Sequence, residues 1–216
     1  MCPYCGGSCI RYGKSNTGTQ RFRCKSCKRT HVTAYLYRGC HPDVPKGVSS
    51  HLKEGCSIRS ISRLLNISAS TVLRMILRIA NRINKPPVPV GKEYELDELK
   101  TYIGTKRKPC WVAYAIRKDT RAVVDFTVGS RTSSSLKRIA GTLLLSAAKK
   151  VYTDKLPHYK SLIPRSIHNV NPYGTNHIER KNLTLRTHLK RLSRRTICFS
   201  RSAAMLAACL KIYFWG

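Results

Sequence analysis

The sequence predicts a multidomain α+β protein with a small metal-binding module, then a helical module, then a larger domain built on a mixed sheet. Two observations support this division. Four cysteines form two close pairs near the start of the chain, and the hydrophobic spacing changes from helical to strand-like near residue 93. Proline- and glycine-rich stretches separate these parts. We therefore expect modules at 1–33, 34–83 and 93–216, with an extended linker at 84–92.

The composition indicates a polyanionic partner. The 216 residues include 41 Lys and Arg against 10 Asp and Glu, a formal net charge of +31. Such an excess is typical of a nucleic-acid coat or ribosomal protein, or of an enzyme that acts on DNA or RNA. No Walker loop, GxGxxG motif or Ser/His/Asp order appears, so nucleotide hydrolysis and acyl transfer lack support.

The chain also lacks the marks of export or membrane insertion. No apolar run reaches the roughly 18–20 residues of a membrane span, and the start "MCPYCGG" has no signal-peptide regions. We expect a protein of the reducing bacterial cytoplasm, where ten cysteines favour metal binding over disulfides.

The N-terminal module carries the pattern of a structural zinc site. Cys2 and Cys5 form one CxxC pair, Cys24 and Cys27 form another, and 18 residues lie between them. Two such pairs supply four thiolates to one tetrahedral Zn²⁺, and the residues between them alternate as strand, turn and strand. The sequence therefore predicts a zinc ribbon. A redox CxxC pair is the alternative, and Cys9 and His31 are possible substitute ligands.

The second module has the spacing of a helix-turn-helix. Apolar residues between Val48 and Ile79 fit three short helices, and "NIS" at 66–68 makes a tight turn before a helix capped by Ser68. We expect Ile67 in the core and Leu64 among the apolar helical positions. The exposed face of the third helix then offers four side chains to a DNA major groove: Ser70, Thr71, Arg74 and Arg78. A helical hairpin used for packing or dimerisation is the alternative.

The third module begins with three consecutive strands. Apolar and β-branched runs at 94–104, 110–118 and 122–129 are separated by turns, including "TKRKP" at 105–109. A helix capped within Ser133–Ser135 follows, then a fourth strand that ends in Asp154, then a helix from about Thr175. This order is typical of the mixed sheets of ribonuclease-H-like nucleases and integrases.

Three acidic residues of this module are candidate catalysts. Asp97 lies in the first strand and Asp154 at the end of the fourth, and in the inferred topology these strands are neighbours. Glu179 lies on the following helix. Converging carboxylates are stabilised by divalent cations, so we expect two Mg²⁺ or Mn²⁺ ions that assist phosphodiester cleavage. Glu95 and Glu98 compete with Asp97 for this role, whereas Asp125 is expected on a solvent-facing side of its strand.

The helix that carries Glu179 has two distinct stripes. Ile178, Leu185, Leu189 and Leu192 form an apolar stripe, and Glu179, Asn182 and Arg186 form an adjoining polar one. Asn182 and Arg186 are therefore candidate supports for the metal and phosphate face. The basic segment that follows is a candidate DNA-backbone strip, and its predicted contacts are Lys190, Arg191, Arg194 and Arg195. The apolar helix at the C-terminus is expected to be core or dimer surface.

Taken together, these motifs resemble the transposases of the bacterial insertion-sequence-one family. The matching pieces are "CPYC…GKSNTGTQRFRCKSC", the helix-turn-helix, "LDELKTYIGTKRKPCWVAYA", "VYTDKLPHY" and "HIERKNLTLRTHLKRLSRRTICFSRS".

The resemblance implies a DDE transposase with acids at Asp97, Asp154 and Glu179. Its zinc ribbon and helix-turn-helix would bind the terminal inverted repeats of the element, and the catalytic domain would cut and join DNA. The expected setting is a homodimer or higher oligomer on double-stranded DNA, at the nucleoid. A non-catalytic DNA-binding regulator and a ribonuclease-H-like nuclease or resolvase are the alternatives.

Overall fold

The computed structural model describes residues 1–32, 37–193 and 195–216, which divide into two units, Met1–Val44 and Pro45–Gly216. The predicted boundary at 33/34 lies outside the described residues, and the other module boundaries stay predictions. None of the helices in the described part of the chain combines the length and apolar content that a membrane span needs.

The first unit is a three-stranded antiparallel sheet joined to two cysteine turns. Its strands β1 (Cys9–Lys14), β2 (Gln20–Cys24) and β3 (Thr30–Val32) lie in the order β1-β2-β3. The β1–β2 turn closes at Gly18, whose φ of +78° suits glycine. A single 3₁₀ turn, Arg38–Cys40, lies near the end of the unit. The strand–turn–strand prediction between the cysteine pairs is confirmed.

Three short helices begin the second unit: α1 (Val44–Lys53), α2 (Ile58–Leu65) and α3 (Ala69–Arg82). Ser57 and Ser68 cap α2 and α3 by accepting the N–H groups of Ser60 and Thr71. Asn66 in the left-handed conformation makes the turn between them. The three predicted helices, the Ser68 cap and the buried Ile67 are confirmed.

One exposure prediction in these helices is wrong. Thr71 is buried rather than exposed, and its hydroxyl lies 2.9 Å from Ser68 Oγ. A residue in the first turn is covered when its side chain turns back towards the cap. Leu64, expected among the apolar helical positions, is 60% exposed.

The larger sheet has five strands in the order β6-β5-β4-β7-β8. Its strands are β4 (Glu93–Ile103), β5 (Thr105–Arg117), β6 (Val123–Gly129), β7 (Lys150–Tyr152) and β8 (His168–Asn169). The first three pair antiparallel as a meander, whereas β7 pairs parallel with β4 and β8 parallel with β7. The mixed sheet and its four predicted strands are confirmed, except that the fourth strand, β7, ends at Tyr152 and Asp154 lies two residues beyond it.

One predicted turn in this sheet is wrong. Residues 105–109 belong to β5, and the reversal between β4 and β5 takes place at Gly104, whose φ is +72°. A single glycine suffices because the register shifts between Tyr102 and Ile103, which leaves a bulge in the hairpin.

Helices cover both faces of the sheet. They are α4 (Ser133–Leu145), α5 (Pro157–Leu162), α6 (Asn176–His188) and α7 (Ala203–Trp215), and a 3₁₀ turn, Lys190–Leu192, follows α6. Alternate residues of β4 enter different cores: Leu96 packs with α4 and α5, and Leu99 packs with α6 and α7. The N-cap of α4 is Thr132 rather than a residue within Ser133–Ser135, because its side chain accepts the Ser135 N–H.

Because both faces are covered, Asp125 on β6 has no solvent side, and the prediction that it faces solvent is wrong. Its side chain is 2% exposed, and Lys85 Nζ lies 2.8 Å from its Oδ2. Thr142 Oγ1 donates to the same oxygen at 2.9 Å, and the Phe126 N–H donates to Oδ1. Asp125 thus holds the segment that follows α3 against the sheet.

The ion pair between Lys85 and Asp125 predicts that replacing each residue in turn has an unequal effect on the free energy of unfolding. Lys85→Met should cost about 2–3 kcal/mol, because it leaves a buried carboxylate without its close cation. Asp125→Asn should cost about 1 kcal/mol, because the amide still accepts from Phe126 and the partly exposed Lys85 can turn to water. Urea unfolding followed by tryptophan fluorescence measures both. A larger loss of stability in Asp125→Asn than in Lys85→Met would contradict the assigned role of Lys85 as the cation that neutralises Asp125.

Candidate active site

Strand register brings the first two predicted acids together. Glu95 on β4 pairs with Tyr152 on the parallel strand β7. Asp97 and Asp154 each lie two residues further along, so they reach the same level at the carboxyl end of the parallel pair. One carboxylate oxygen from each of Asp97, Glu98 and Asp154 lies within 4.8 Å of the other two. We call these three residues the carboxylate group.

Asp97 is the member of this group whose pKa departs most clearly from its ordinary value. Burial, opposed by the Glu98 N–H bond and reinforced by the charges of Glu98 and Asp154, raises the pKa of Asp97 to about 6. Asn182 Nδ2 donates to its Oδ2 at 2.7 Å. Gathered acids with a raised pKa stay ionised together when a cation neutralises them, and oxygen ligands suit Mg²⁺ or Mn²⁺. The donor set therefore fits a divalent ion.

Glu98 enters the group although strand alternation points it away from Asp97. Its Oε1 accepts from the Tyr159 hydroxyl at 2.6 Å, and its Oε2 pairs with Arg131 at 3.3 Å. The sequence could place Glu98 only as a competitor of Asp97. Its actual position depends on α5, which brings Tyr159 under the strand.

Glu95, the other competitor, has a different environment. It is fully buried, with Oε1 lying 2.6 Å from His177 Nδ1 and Oε2 accepting the Ile178 N–H at 2.9 Å. Both donors come from the first turn of α6. Glu95 therefore anchors that helix to the sheet, a role that the sequence pattern gave no means to find.

Glu179 lies on the next residue of the same turn but outside the carboxylate group. Its Oε1 accepts from the Thr175 hydroxyl at 2.8 Å, and the residue is exposed. Among the described residues, the acids that lie within common ligand distance near β4 are Asp97, Glu98 and Asp154. The helix faces the group, whereas the Glu179 carboxylate is held by its own N-cap residue.

The two predicted supporting residues differ in their contacts. Asn182 joins the two elements, since it donates to Asp97 and accepts from the Tyr114 hydroxyl at 2.8 Å. Burial raises the pKa of Tyr114, the Asp97 charge adds to the shift, and the charge of Arg186 opposes it. Arg186 is therefore close to the same polar face. The residues of the predicted apolar stripe are all buried, but α6 ends at His188, so Leu189 is its C-cap and Leu192 lies in the 3₁₀ turn that follows.

The predicted DNA contacts lie on two surfaces of the second unit. Ser70, Arg74 and Arg78 are exposed on α3. After α6, Lys190 and Arg195 are exposed, whereas Arg191 donates to Ser200 Oγ at 3.0 Å. Arg194 lies outside the described residues. These contacts stay predictions.

The four predicted zinc ligands form one cluster in the first unit. Their sulfur atoms all lie within 4.8 Å of one another, with Cys2 Sγ 3.7 Å from Cys27 Sγ and Cys5 Sγ 3.5 Å from Cys24 Sγ. The Cys27 N–H donates to Cys24, and it is the main cause that lowers the pKa of the Cys24 thiol to about 6. Cys9 instead points at the Gly7 carbonyl oxygen. The donor set fits Zn²⁺.

A sequence model described as "IS1 transposase" matches residues 93–214, more than half of the chain. The chain belongs to this family. The matched range contains the carboxylate group, α6 and the basic segment after it.

Two relatives of this family carry the name InsB. The insertion element iso-IS1n protein InsB of Shigella dysenteriae is 38% identical over 108 residues, which cover 50% of this chain and 82% of the relative. The insertion element IS1 protein InsB of Shigella flexneri is 39% identical over 113 residues, which cover 51% and 85%.

Among solved structures, a chain of the simian T-cell lymphotropic virus intasome aligns with a TM-score of 0.39 and 17% identity, over 76% of this chain and 66% of that one. The HTLV-2 integrase catalytic core aligns with a TM-score of 0.38 and 14% identity, over 57% and 86%.

The carboxylate group predicts a metal-dependent gain in stability. With Mg²⁺ at ten times its dissociation constant, the melting temperature should rise by about 3–5 °C. Asp154→Asn should abolish this rise, and without metal it should be no less stable than the wild type because one repulsive charge is gone. The exposed Asp119→Asn is the matched control and should keep the full rise. Differential scanning calorimetry makes the comparison, and a full rise in Asp154→Asn would contradict the site.

The thiolate cluster predicts one tightly held zinc ion per chain. Within the described part of the first unit, the buried apolar-class side chains are Cys2, Cys24 and Val44, so little else can hold its strands together. Cys24→Ser should lose the zinc and the hydrogen-exchange protection of β1–β3, while the second unit keeps its protection. Cys9→Ser is the control and should retain both. Metal analysis of the two purified variants measures their zinc content. Equal zinc content in Cys24→Ser and Cys9→Ser would rule out the four-cysteine site.

Proposed function

We propose that the chain is a DDE-type DNA transposase that cuts the ends of its insertion element and joins them to target DNA. The observation that carries the proposal is the carboxylate group at the carboxyl end of the parallel pair β4–β7, facing α6. The strand order with three antiparallel and two parallel strands is also the order expected of a ribonuclease-H-like catalytic domain, and membership of the IS1 transposase family agrees with it.

In this proposal, Asp97, Asp154 and Glu179 hold two Mg²⁺ or Mn²⁺ ions, and Glu98 is an additional candidate ligand. Bound divalent ions would activate an attacking oxygen and stabilise the leaving oxygen of a phosphodiester. Asn182 fixes the orientation of Asp97 through its amide, and Tyr114 fixes the amide in turn. To join the metal site, Glu179 would have to give up its bond with Thr175. Arg186 supplies positive charge to the phosphate on the same face.

The remaining parts of the chain bind the DNA. The zinc ribbon and the exposed face of α3 bind the terminal inverted repeats, with Ser70, Arg74 and Arg78 towards the bases and backbone. Lys190 and Arg195 contact phosphates near the carboxylate group. The protein acts as a homodimer or higher oligomer on double-stranded DNA, at the bacterial nucleoid.

The test uses duplexes that tile the DNA on either side of the chain's own coding sequence, incubated with Mg²⁺ and a supercoiled plasmid. The wild type should release a 3′-OH at one position and join that end to the plasmid. Asp154→Asn and Glu179→Gln should each lower both steps by more than about 100-fold, a larger loss than removal of a group that only supports a metal ligand. Asp119→Asn should leave both rates unchanged.

Three outcomes would contradict the proposal. Sequence-specific binding without cleavage would favour a DNA-binding regulator, and cleavage of branched or hybrid substrates without joining would favour a nuclease or resolvase. Unchanged joining by Glu179→Gln would remove Glu179 from the catalytic set.

A further inference from the structure

The hairpin of β4 and β5 extends beyond the rest of the sheet. On one side, β7 stops opposite Glu95, and on the other side β6 stops opposite Trp111. In the described part of the chain, residues 101–110 therefore form a two-stranded ribbon that no further strand of the sheet flanks, apart from an isolated bridge between Ile103 and Ser200, and the ribbon runs outward from the carboxylate group. Antiparallel ribbons of this kind are used by several protein families to contact DNA.

The tip of this ribbon presents three consecutive cations: Lys106, Arg107 and Lys108. Thr105 pairs with Ile103, and Pro109 pairs with Tyr102, so the register of the fully described hairpin places no β4 residue opposite the three cations. They form a bulge, and all three are exposed. A bulge frees residues from the ladder and lets them turn outward together, whereas a regular strand would alternate them between two faces.

The ribbon is also braced, so its tip is held in position. Thr101 Oγ1 donates to the Arg191 carbonyl oxygen at 3.1 Å, and the Gly104 N–H donates to the Ser200 carbonyl oxygen at 2.9 Å. The rings of Tyr102 and Phe199 meet edge to face with centroids 5.3 Å apart. An arm held at its base and tip loses little conformational entropy when it binds.

One face of the ribbon adds aromatic rings and a fourth cation. Lys100 Nζ lies 5.8 Å from the ring centroid of Tyr102 and 5.5 Å from that of Trp111. Lys100 is on the same side of β4 as Glu98, two residues further from the carboxylate group. Lys100 thus places one positive charge between the acids and the three cations of the tip, and the phosphate backbone of DNA is the complement of such cations.

We propose that the β4–β5 ribbon is a second DNA-binding surface, separate from α3, whose tip holds the backbone of the duplex that leads away from the cleaved phosphate. Five residues separate Asp97 from Tyr102, about 17 Å at about 3.4 Å per residue. One DNA strand carries a phosphate about every 3.4 Å, so the tip contacts lie about five nucleotides from the cut. The inference rests on the proposed function, since it takes the DNA to cross the carboxylate group.

The test compares two triple variants of the full chain in an Asp154→Asn background, where binding is measured without cleavage. One variant changes Lys106, Arg107 and Lys108 to Ala. The matched control changes Lys92, Lys149 and Lys150, which are exposed at the opposite end of β4, to Ala. The probe is the duplex that the wild type cleaves or, if none is cleaved, a duplex from the same tiled set.

Salt dependence of binding is the main readout. The slope of log Kd against log salt should become shallower by about 2–3 in the tip variant, because three phosphate contacts are lost, and should change little in the control. Phosphate ethylation interference about five nucleotides from the cut should disappear in the tip variant alone. In a Trp215→Phe variant, which leaves Trp111 as the one tryptophan of the sequence, duplex binding should quench the fluorescence.

Several results would overturn the inference. An unchanged slope in the tip variant would exclude phosphate contacts there, and an equal change in the control would show only a general charge effect. A change in sedimentation mass of the tip variant, with an unchanged slope, would assign the ribbon to contact between two copies. Cleavage that survives in Asp154→Asn would instead refute the proposed function and leave the slope result standing.

Discussion

The buried carboxylate of Glu95 determines how α6 meets the sheet. In the described structure, Thr175 gives no side-chain cap to the first turn of α6, so the Ile178 N–H depends on Glu95. A negative charge there is also stabilised by the helix dipole, and the His177 ring nitrogen satisfies the second oxygen. With the helix start fixed two residues before Asp97 on the strand, Asn182 reaches Asp97 one turn later. The position of the polar face of α6 opposite the carboxylate group thus depends on Glu95, which itself lies outside that group.

The net charge of +31 lowers the electrostatic cost of placing several carboxylates close together. A strongly positive chain attracts anions over distances of about 10 Å at ordinary ionic strength, which offsets part of the repulsion among gathered carboxylates. The local effects still dominate at Asp97, whose pKa rises to about 6 because burial and two neighbouring acids outweigh the Asn182 bond. The carboxylate group therefore keeps a local excess of negative charge, which a divalent ion can neutralise, on a chain that is positive as a whole.

Much of this arrangement could be predicted because it follows from local rules. Cysteine spacing fixes the sulfur cluster, helix periodicity fixes the buried stripe of α6, and two parallel neighbouring strands bring Asp97 and Asp154 to one edge. Asp125 was misplaced because a single strand does not reveal whether helices cover one face of its sheet or both. The position of Glu98 and the anchor at Glu95 depend on contacts with α5 and α6 that lie 61 and 82 residues away in the chain, and no spacing rule reaches that far.

Glu179 lies outside the carboxylate group, and this position is compatible with its proposed role as a metal ligand. An ionised carboxylate on the first turn of a helix is stabilised by the helix dipole, and the Thr175 hydroxyl donates to it. Because Glu179 is exposed, water replaces that bond when it breaks and the net cost is about 1 kcal/mol or less, whereas a carboxylate that joins a divalent ion is compensated by the charge of the ion. On the proposed function, Asp97, Glu98 and Asp154 would be placed to share one ion, and Glu179 would have to leave Thr175 to join them.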